Sequence, residues 1–543
     1  MMWTTRQEER IVYGTTISSG LAMGRAVIYT DILLRDHELY TITQKALKEE
    51  LKRIEMALRE VSDDLHCSAQ RIEKELNSHM AGIFRAQLAI LHDKLLVEEI
   101  KAELETELIN AEQIIKRVFR KWELRFRQLN DEQMASKADD IVDLSRKILG
   151  ALIGIHAHTL EHLPAGSIIV ARRLLPSDTV FLSRKSTRGI VTEFGGPASH
   201  AALLTKEIGV PALSKIADVL NIVKNRDFLL LDCVTGNLVI NPQEKTRRCF
   251  EKRIAERKVY LLNSRRCCSE ISVRKNGQSV AVLANVSCRD DVEVALKNGA
   301  EGIGLFRIEN IYLSRKLPPS TQELIDEIQN TIEPAQGKPT TIRLLDVGGD
   351  KKLTYLNYSS GEDSFLGRRG VRFLLEFPEL LYTQLNALIR LSENFDIRIL
   401  VPMVTFHQEM GLVREIFDDL TGSGGSKEIM LGAMIETPAA ALCVEQFLPY
   451  VDFISIGTND LTQYTMAVGR ENSSVTQYFV ENHPAIIKMI DHVVKYSGGI
   501  PVSVCGELAA RFDTISTLAE CGIGTLSVAP SLIPQVKNVI RES

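Results

Sequence analysis

Residues 429–464 read IMLGAMIETPAAALCVEQFLPYVDFISIGTNDLTQY. Two apolar, strand-like runs, IMLGAMIE and DFISIGT, are separated by a stretch of helical character. The first ends on Glu436, the second on Gly457, Thr458, Asn459 and Asp460. The alternation continues outward in both directions. SVAVLANV, EGIGLFR, TIRLLDVGG and IRILVPMV precede it, and IPVSVCGE and TLSVAP follow, which makes eight runs. A (β/α)8 barrel needs eight strands and about 250 residues. We therefore read residues 269–543 as a (β/α)8 TIM barrel.

Barrel active sites sit where strands end and βα loops begin. Those positions hold Arg307, Arg343 with Asp346, Gly348-Gly349-Asp350-Lys351, Glu436, Gly457 to Asp460, and Cys505 with Glu507. Two more arginines, Arg369 and Arg470, fall in loops. Taken singly, each has a bland explanation. A strand-end cysteine is usually a small buried hydrophobe, an acid at a helix start usually caps it, and loop arginines are usually solvated. Together they converge on one cavity. Two carboxylates without His or Cys partners suit Mg²⁺, which takes one or two protein carboxylates and leaves room for substrate oxygens. Clustered arginines suit a small polyanion, because their planar forks match phosphate and carboxylate oxygens. One unit charge at 4 Å is worth about 4 kcal/mol at an effective dielectric near 20. A compact trianion therefore needs several such partners. The GTN amides at a helix start add phosphate donors. A thiol nearby is a proton donor to a carbanion or enolate.

Upstream of the barrel the character changes twice. Residues 11–30 and the runs 167–171, 189–193 and 228–232 are strand-like. Between them, from about Thr43 to Leu152, glycine and proline almost vanish. Met80, Ile83, Phe84, Leu88, Leu91 and Leu95 follow helical spacing there. This places a helical bundle at 36–152, inserted into an α/β domain formed by 1–35 and 153–242. Met80, Phe84 and Leu88 read as bundle core rather than docking surface. Residues 243–268 are highly charged and read as an exposed linker helix. A plain surface helix fits that stretch equally well.

The α/β domain carries FGGPASHAAL at 194–203. Gly195 and Gly196 let a bulky ligand approach the backbone, and His200 heads a helix whose first amides favour an anion. An imidazole there can carry a phosphoryl group.

Composition agrees with an ordinary globular chain. The 543 residues are 45% apolar and 25% charged, with a net charge of −5. No basic excess points to nucleic acid, and no run approaches the roughly 18 apolar residues of a membrane helix. The start, MMWTTRQEER, has no apolar core of a secretion signal. Nine cysteines without a regular framework point to a reducing cytoplasm.

SHAALLTKEIGVPAL, RLLDVGGDKKL, AMIETPAAA, SIGTNDLTQYT and VCGELA closely resemble the enzyme I family of bacterial phosphotransferase systems, the phosphoenolpyruvate–protein phosphotransferases. The resemblance spans essentially the whole chain. It implies that His200 takes the phosphoryl group of phosphoenolpyruvate and passes it to a histidine of the carrier HPr, releasing pyruvate. It implies that Arg307, Arg343, Arg369, Asn459 and Arg470 bind substrate, that Glu436 and Asp460 bind Mg²⁺, and that Cys505 protonates enolpyruvate. HPr would dock on the helical insert, and the barrel would form a homodimer. An N-terminal sensor domain, frequent in the nitrogen-regulatory branch, does not fit here, which favours the sugar branch.

The chain departs from the family pattern in supporting positions. Leu175 stands where the family has a threonine contacting the active histidine. Ile308 and Asn310, Ser364, Arg368, Gly469, Ala510 and Arg511 are further departures. Two alternatives stay open at this level: a regulatory homologue that binds HPr with weak or no turnover, and a fragment of a phosphoenolpyruvate-dependent synthase. The synthase relatives carry a nucleotide-binding domain, and the first 150 residues show no phosphate loop.

Overall fold

The computed structural model describes residues 9–29, 38–75, 78–128, 132–154, 160, 163–179, 182, 187–195, 200–313, 315–348, 353, 355–356, 366–422, 429–469 and 475–543. The chain forms two compact units, Met1–Glu256 and Arg257–Ser543.

The first unit is built on an eight-stranded sheet. Its strands are β1 (Arg10–Tyr13), β2 (Thr15–Ser18), β3 (Leu21–Tyr29), β4 (Ser167–Ala171), β5 (Thr187–Thr192), β6 (Ala212–Ser214), β7 (Phe228–Asp232) and β8 (Asn237–Ile240). Their order is β1-β8-β7-β3-β4-β5-β6-β2. β3 therefore pairs parallel with β4, more than a hundred positions later in sequence, with Ala26 opposite Ile168. β4 is SIIVA, buried at every residue. A strand covered on both faces loses the apolar–polar alternation.

Between β3 and β4 the described residues form five helices: α1 (Leu47–Glu75), α2 (Ser78–Leu91), α3 (Lys94–Glu107), α4 (Ala111–Gln128) and α5 (Glu132–Leu152). On α1 the buried residues Ile54, Ala57, Val61, Leu65, Ala69 and Ile72 recur at three- and four-residue spacing, the stripe of a packed helix. Ile83, Phe84, Leu88 and Leu91 are core. Leu95 is not, at 68% exposed. The helical phase breaks before it, because Asp93 caps α3 and its carboxylate accepts the Leu95 N–H at 2.8 Å.

The helices are tied to the sheet by a buried polar network around Arg146 on α5. Its guanidinium donates to the Tyr29 hydroxyl (2.8 Å) and to the Ser177 hydroxyl (2.6 Å). It also pairs with Asp143 (3.1 Å) and Asp178 (2.8 Å). Burial opposes its charge, and the two carboxylates outweigh burial and keep it protonated. Asp178 lies in the short helix α6 (Pro176–Thr179) and accepts the Leu175 N–H at 2.8 Å. The network thus fixes the segment 175–178, and α7 (His200–Ile208) packs beside α6. Ala201 and Ala202 of α7 pack with Ile169 and Ile190 of the sheet, while Leu204 joins the core of the inserted helices. The helix that starts at His200 is held between both layers.

After α8 (Val219–Ile222) comes α9 (Glu244–Arg266), one continuous helix of 23 residues. Its front half is fastened to the sheet. Phe250 packs on Leu230 and Val239, and Arg253 pairs with Asp232 at 2.7 Å.

The second unit is a closed barrel. All eight apolar runs supply its strands: β9 (Ala281–Val286), β10 (Ile303–Arg307), β11 (Thr340–Arg343), β12 (Ile397–Val401), β13 (Met430–Ile435), β14 (Phe453–Gly457), β15 (Val502–Cys505) and β16 (Thr525–Val528). Every pairing is parallel, and β16 closes on β9 with Leu526 opposite Val282. Alternate residues face opposite ways. Leu431, Ala433 and Ile435 join the core beneath the helices, while Met434, Leu400, Phe453 and Cys505 cluster inside the barrel. Gly432 admits the Phe453 ring, which a Cβ there would meet at 2.5 Å. Among the described residues no helix is long and apolar enough to cross a membrane.

Replacing Arg146 by alanine strands Asp143 and Asp178 in the interior. Loss of one partner of a buried ion pair costs about 3–5 kcal/mol. Both tryptophans lie before residue 256. Urea unfolding followed by their fluorescence should therefore shift by that amount, and a shift below about 1 kcal/mol contradicts the assignment.

Candidate active site

Arg343 is the last residue of β11 and faces the barrel interior, 6% exposed, with one terminal nitrogen 4.0 Å from the Met434 sulfur. Its other terminal nitrogen, Nη2, donates to Glu309 Oε1 at 2.9 Å, while the first, Nη1, pairs with Asp346 at 3.2 Å. Burial opposes the charge of Arg343, and Glu309 and Asp346 keep it strongly protonated. Asp346 also pairs with Arg369, whose Nε and Nη2 donate to its two oxygens at 3.0 Å each. Arg369 reaches across to Asp460 in turn, at 2.8 and 3.2 Å. Gly348 makes this approach possible. It sits at φ +115°, and a Cβ there would lie 2.3 Å from the Arg368 carbonyl oxygen.

Glu436 follows β13 and is 1% exposed. Its carboxylate accepts the Met403 N–H at 2.9 Å. Met403 itself sits at φ +57°, a left-handed conformation rare for a bulky residue. Gly457 is needed beside it, because a Cβ would lie 2.6 Å from Glu436 Oε1. Burial first, and then the charge of Asp460, push the Glu436 carboxyl up to about 8, although Arg343 pulls the other way.

Asp460 and Asn459 stand in the first turn of the helix Thr458–Met466. The Asn459 side-chain oxygen accepts the Glu507 N–H at 2.9 Å, and the Thr458 hydroxyl donates to the Cys505 carbonyl at 3.0 Å. These bonds stitch the end of β14 to the end of β15. The Cys505 thiol lies inside the barrel, 3.6 Å from the Ser455 hydroxyl and 3.5 Å from the Ile456 carbonyl. Burial pushes it up to about 11; Glu436 adds to that, and Arg343 and Arg307 oppose it. It is therefore a proton-bearing thiol at neutral pH. Arg307 ends β10 and is exposed, donating to the Ser287 hydroxyl at 3.4 Å.

The structure thus brings Arg307, Arg343, Arg369, Glu436, Asn459, Asp460 and Cys505 to one end of the barrel. His200 belongs to the other unit, at the first position of α7. Arg470 and the stretch 349–352 lie outside the described residues. One site member, Glu309, was not singled out by sequence, and Asp346 was placed at its strand end without its pairing to both arginines. The signal for Glu309 was spacing: it falls two residues after Arg307, just past the end of β10.

Among the described residues no group of three or more His, Cys, Asp or Glu side chains stands ready to hold a metal ion. The donor set nevertheless fits Mg²⁺. Glu436 and Asp460 are two hard carboxylates close enough for one to raise the other's pKa, which is an electrostatic demand for a cation.

A parallel barrel whose mouth gathers guanidinium groups, carboxylates and a protonated thiol has the chemistry to hold a small polyanion beside a proton donor. Comparison with known families names the class. Models of the PEP-utilising enzymes match three segments: the N-terminal domain at 13–137, the mobile domain at 163–236 and the PEP-binding domain at 263–543. The phosphoenolpyruvate-protein phosphotransferase of Priestia megaterium is 32% identical over 98% of this chain and 94% of its own length. That of Geobacillus stearothermophilus is 34% identical over 98% and 94%, and that of Bacillus subtilis 32% over 96% and 92%. The chain belongs to the phosphoenolpyruvate-protein phosphotransferase family.

With a thiol held near 11, roughly one molecule in a thousand carries a Cys505 thiolate at pH 8. Iodoacetamide at that pH should alkylate exposed Cys67, Cys249 and Cys443 and spare Cys505 in the native protein. Peptide mass spectrometry reads the outcome, and modification of Cys505 at the rate of Cys443 contradicts it.

Proposed function

We propose that this chain transfers the phosphoryl group of phosphoenolpyruvate to His200 and then to a histidine of HPr, releasing pyruvate. This is the first step of a sugar phosphotransferase system. The observation that carries the reading is the convergence of Arg343, Arg369, Glu436, Asp460 and Cys505 at one barrel end, in a chain of this family.

Arg343 and Arg369, with Arg307 and Arg470, hold the phosphate and carboxylate of the substrate, and Asn459 adds an amide. Phosphoryl transfer needs mainly positioning and charge neutralisation. Neutral His200 attacks phosphorus with an imidazole nitrogen, and the bond from phosphorus to the enol oxygen breaks. The helix start at His200 stabilises the resulting phosphoryl dianion. Enolpyruvate is left in the barrel, and the Cys505 thiol donates a proton to its terminal carbon, giving pyruvate. Glu436 and Asp460 would hold Mg²⁺, which supplies further charge neutralisation on the phosphate oxygens.

His200 has two partners to visit. The family model described as the mobile domain covers 163–236 and includes it. The α/β domain of 1–35 and 153–242 is the carrier, the insert of 36–152 the dock for HPr, and 243–268 the linker. The front half of α9 is fastened to the sheet, so the swivel falls in its back half. We place the enzyme in the cytoplasm as a homodimer joined through the barrel of 269–543.

Incubation with Mg²⁺ and phosphoryl-labelled phosphoenolpyruvate should put one label per chain on His200, stable in alkali and lost in acid. His200→Ala should take none. Cys505→Ala should slow pyruvate formation by about a hundredfold, the usual worth of a general acid. ATP-dependent labelling, or none at all, contradicts the proposal.

The Glu436 carboxyl gives a pH signature. Its folded value, about 8, lies above its ordinary 4.5. The metal-free protein therefore loses this contribution to stability as pH rises from about 4.5 through about 8. Mg²⁺ needs the carboxylate, so binding at pH 7 should release close to one proton, and affinity should climb until about pH 8. Calorimetry in buffers of different ionisation enthalpy measures this; no proton release contradicts it.

A further inference from the structure

Arg369 spends every donor it has on protein groups. A guanidinium carries five N–H donors. Nε donates to Asp346, Nη2 to Asp346 and Asp460, and Nη1 to Asp460 and the Tyr464 hydroxyl at 3.4 Å. None remains for an incoming anion. Each oxygen of Asp460 accepts one hydrogen bond from Arg369, so the guanidinium fork spans the carboxylate edge. The anion-binding group and the metal-binding group occupy each other.

The two halves of this arrangement are not equivalent. Asp346 is buried, with a side chain 2% exposed, and is also held by Arg343. The Asp460 side chain is 20% exposed at the start of a helix. The Arg369 backbone is pinned, with Gly348 at φ +115° packed against it and the next residue, Gly370, at φ +57° seated against Met403 and Pro402. The Arg369–Asp460 contact is therefore the more exposed half of the pairing.

We propose that Arg369 is a latch: in the ligand-free protein it takes the place of the divalent cation on Asp460. A cation binding at Glu436 and Asp460 displaces it, and the freed Nη1 and Nη2 donors then take the phosphate. The inference rests on the reading above that Glu436 and Asp460 hold a divalent metal. Its consequence is that metal and anion bind with positive coupling, and linkage makes that coupling reciprocal.

The test uses the full-length protein and Mn²⁺, whose free concentration is read by electron paramagnetic resonance, with and without inorganic phosphate. In the unaltered chain phosphate should tighten Mn²⁺ by about tenfold or more, and Mn²⁺ should tighten phosphate by the same factor. A direct metal–phosphate contact also gives coupling, so the variant decides. Arg369→Gln should bind Mn²⁺ about tenfold more tightly than the unaltered chain without phosphate, and phosphate should add little further. A merely damaged site would bind Mn²⁺ more weakly. Arg369→Lys, which keeps the charge and loses the fork, should fall between. Absence of coupling in the unaltered chain, or unchanged or weaker Mn²⁺ binding in both variants, overturns the latch. Glu436→Gln separates the two readings. If it keeps full Mn²⁺ affinity, the metal site is elsewhere and the latch falls with it. If it loses Mn²⁺ while neither Arg369 variant gains, the latch alone falls.

Discussion

Five charged side chains alternate in sign across the end of the barrel: Glu309, Arg343, Asp346, Arg369 and Asp460. Removing a guanidinium from water is expensive unless carboxylates replace the lost hydration. Here each buried guanidinium meets two of them. Glu436 adds a fourth carboxylate beside Asp460. Among the described residues, four carboxylates, once Glu436 is ionised, stand against Arg343, Arg369 and the exposed Arg307, an excess of negative charge that a cation relieves. Burial first, and then the charge of Asp460, hold the proton on the Glu436 carboxyl to about pH 8 in the protein alone.

The fold exists to hold that row in place. Strand alternation turns Arg343, Met434 and Cys505 inward, while Ile342, Ile435 and Val504 pack under the helices. Glycines at 348, 457 and 506 allow approaches that any side chain would block; at Gly506 a Cβ would lie 2.4 Å from the Thr458 hydroxyl. In the first unit a second buried ion cluster does a parallel job. Arg146 binds the inserted helices to the loop of Leu175 and Asp178, next to the helix that begins with His200.

Much of this was legible in the residues. The eight apolar runs announced a barrel because their number and the length of chain they occupy both fit one, with helical stretches between most of them. Arg343, Arg369, Glu436, Asp460 and Cys505 stood out because they fall at strand ends or in the loops beyond. What was not legible depends on pairing across the chain. Glu309 matters because β10 lies beside β11 in register, with Arg307 opposite Arg343. That register brings Glu309, two residues on, within 2.9 Å of the Arg343 guanidinium. Leu95 misled because its spacing continues the stripe of α2 across a helix break that Asp93 creates. The exhaustion of the Arg369 donors has no sequence signature at all, since it is a property of five atoms and their partners.

The central claim is that this row of charges is the seat of phosphoenolpyruvate. Its most direct test is calorimetric binding of phosphoenolpyruvate to the His200→Gln protein, which has no imidazole to accept the phosphoryl group. With Mg²⁺ present the account predicts one equivalent bound per chain, and none detectable once Arg343→Met is added. Undiminished binding in the double variant would contradict it.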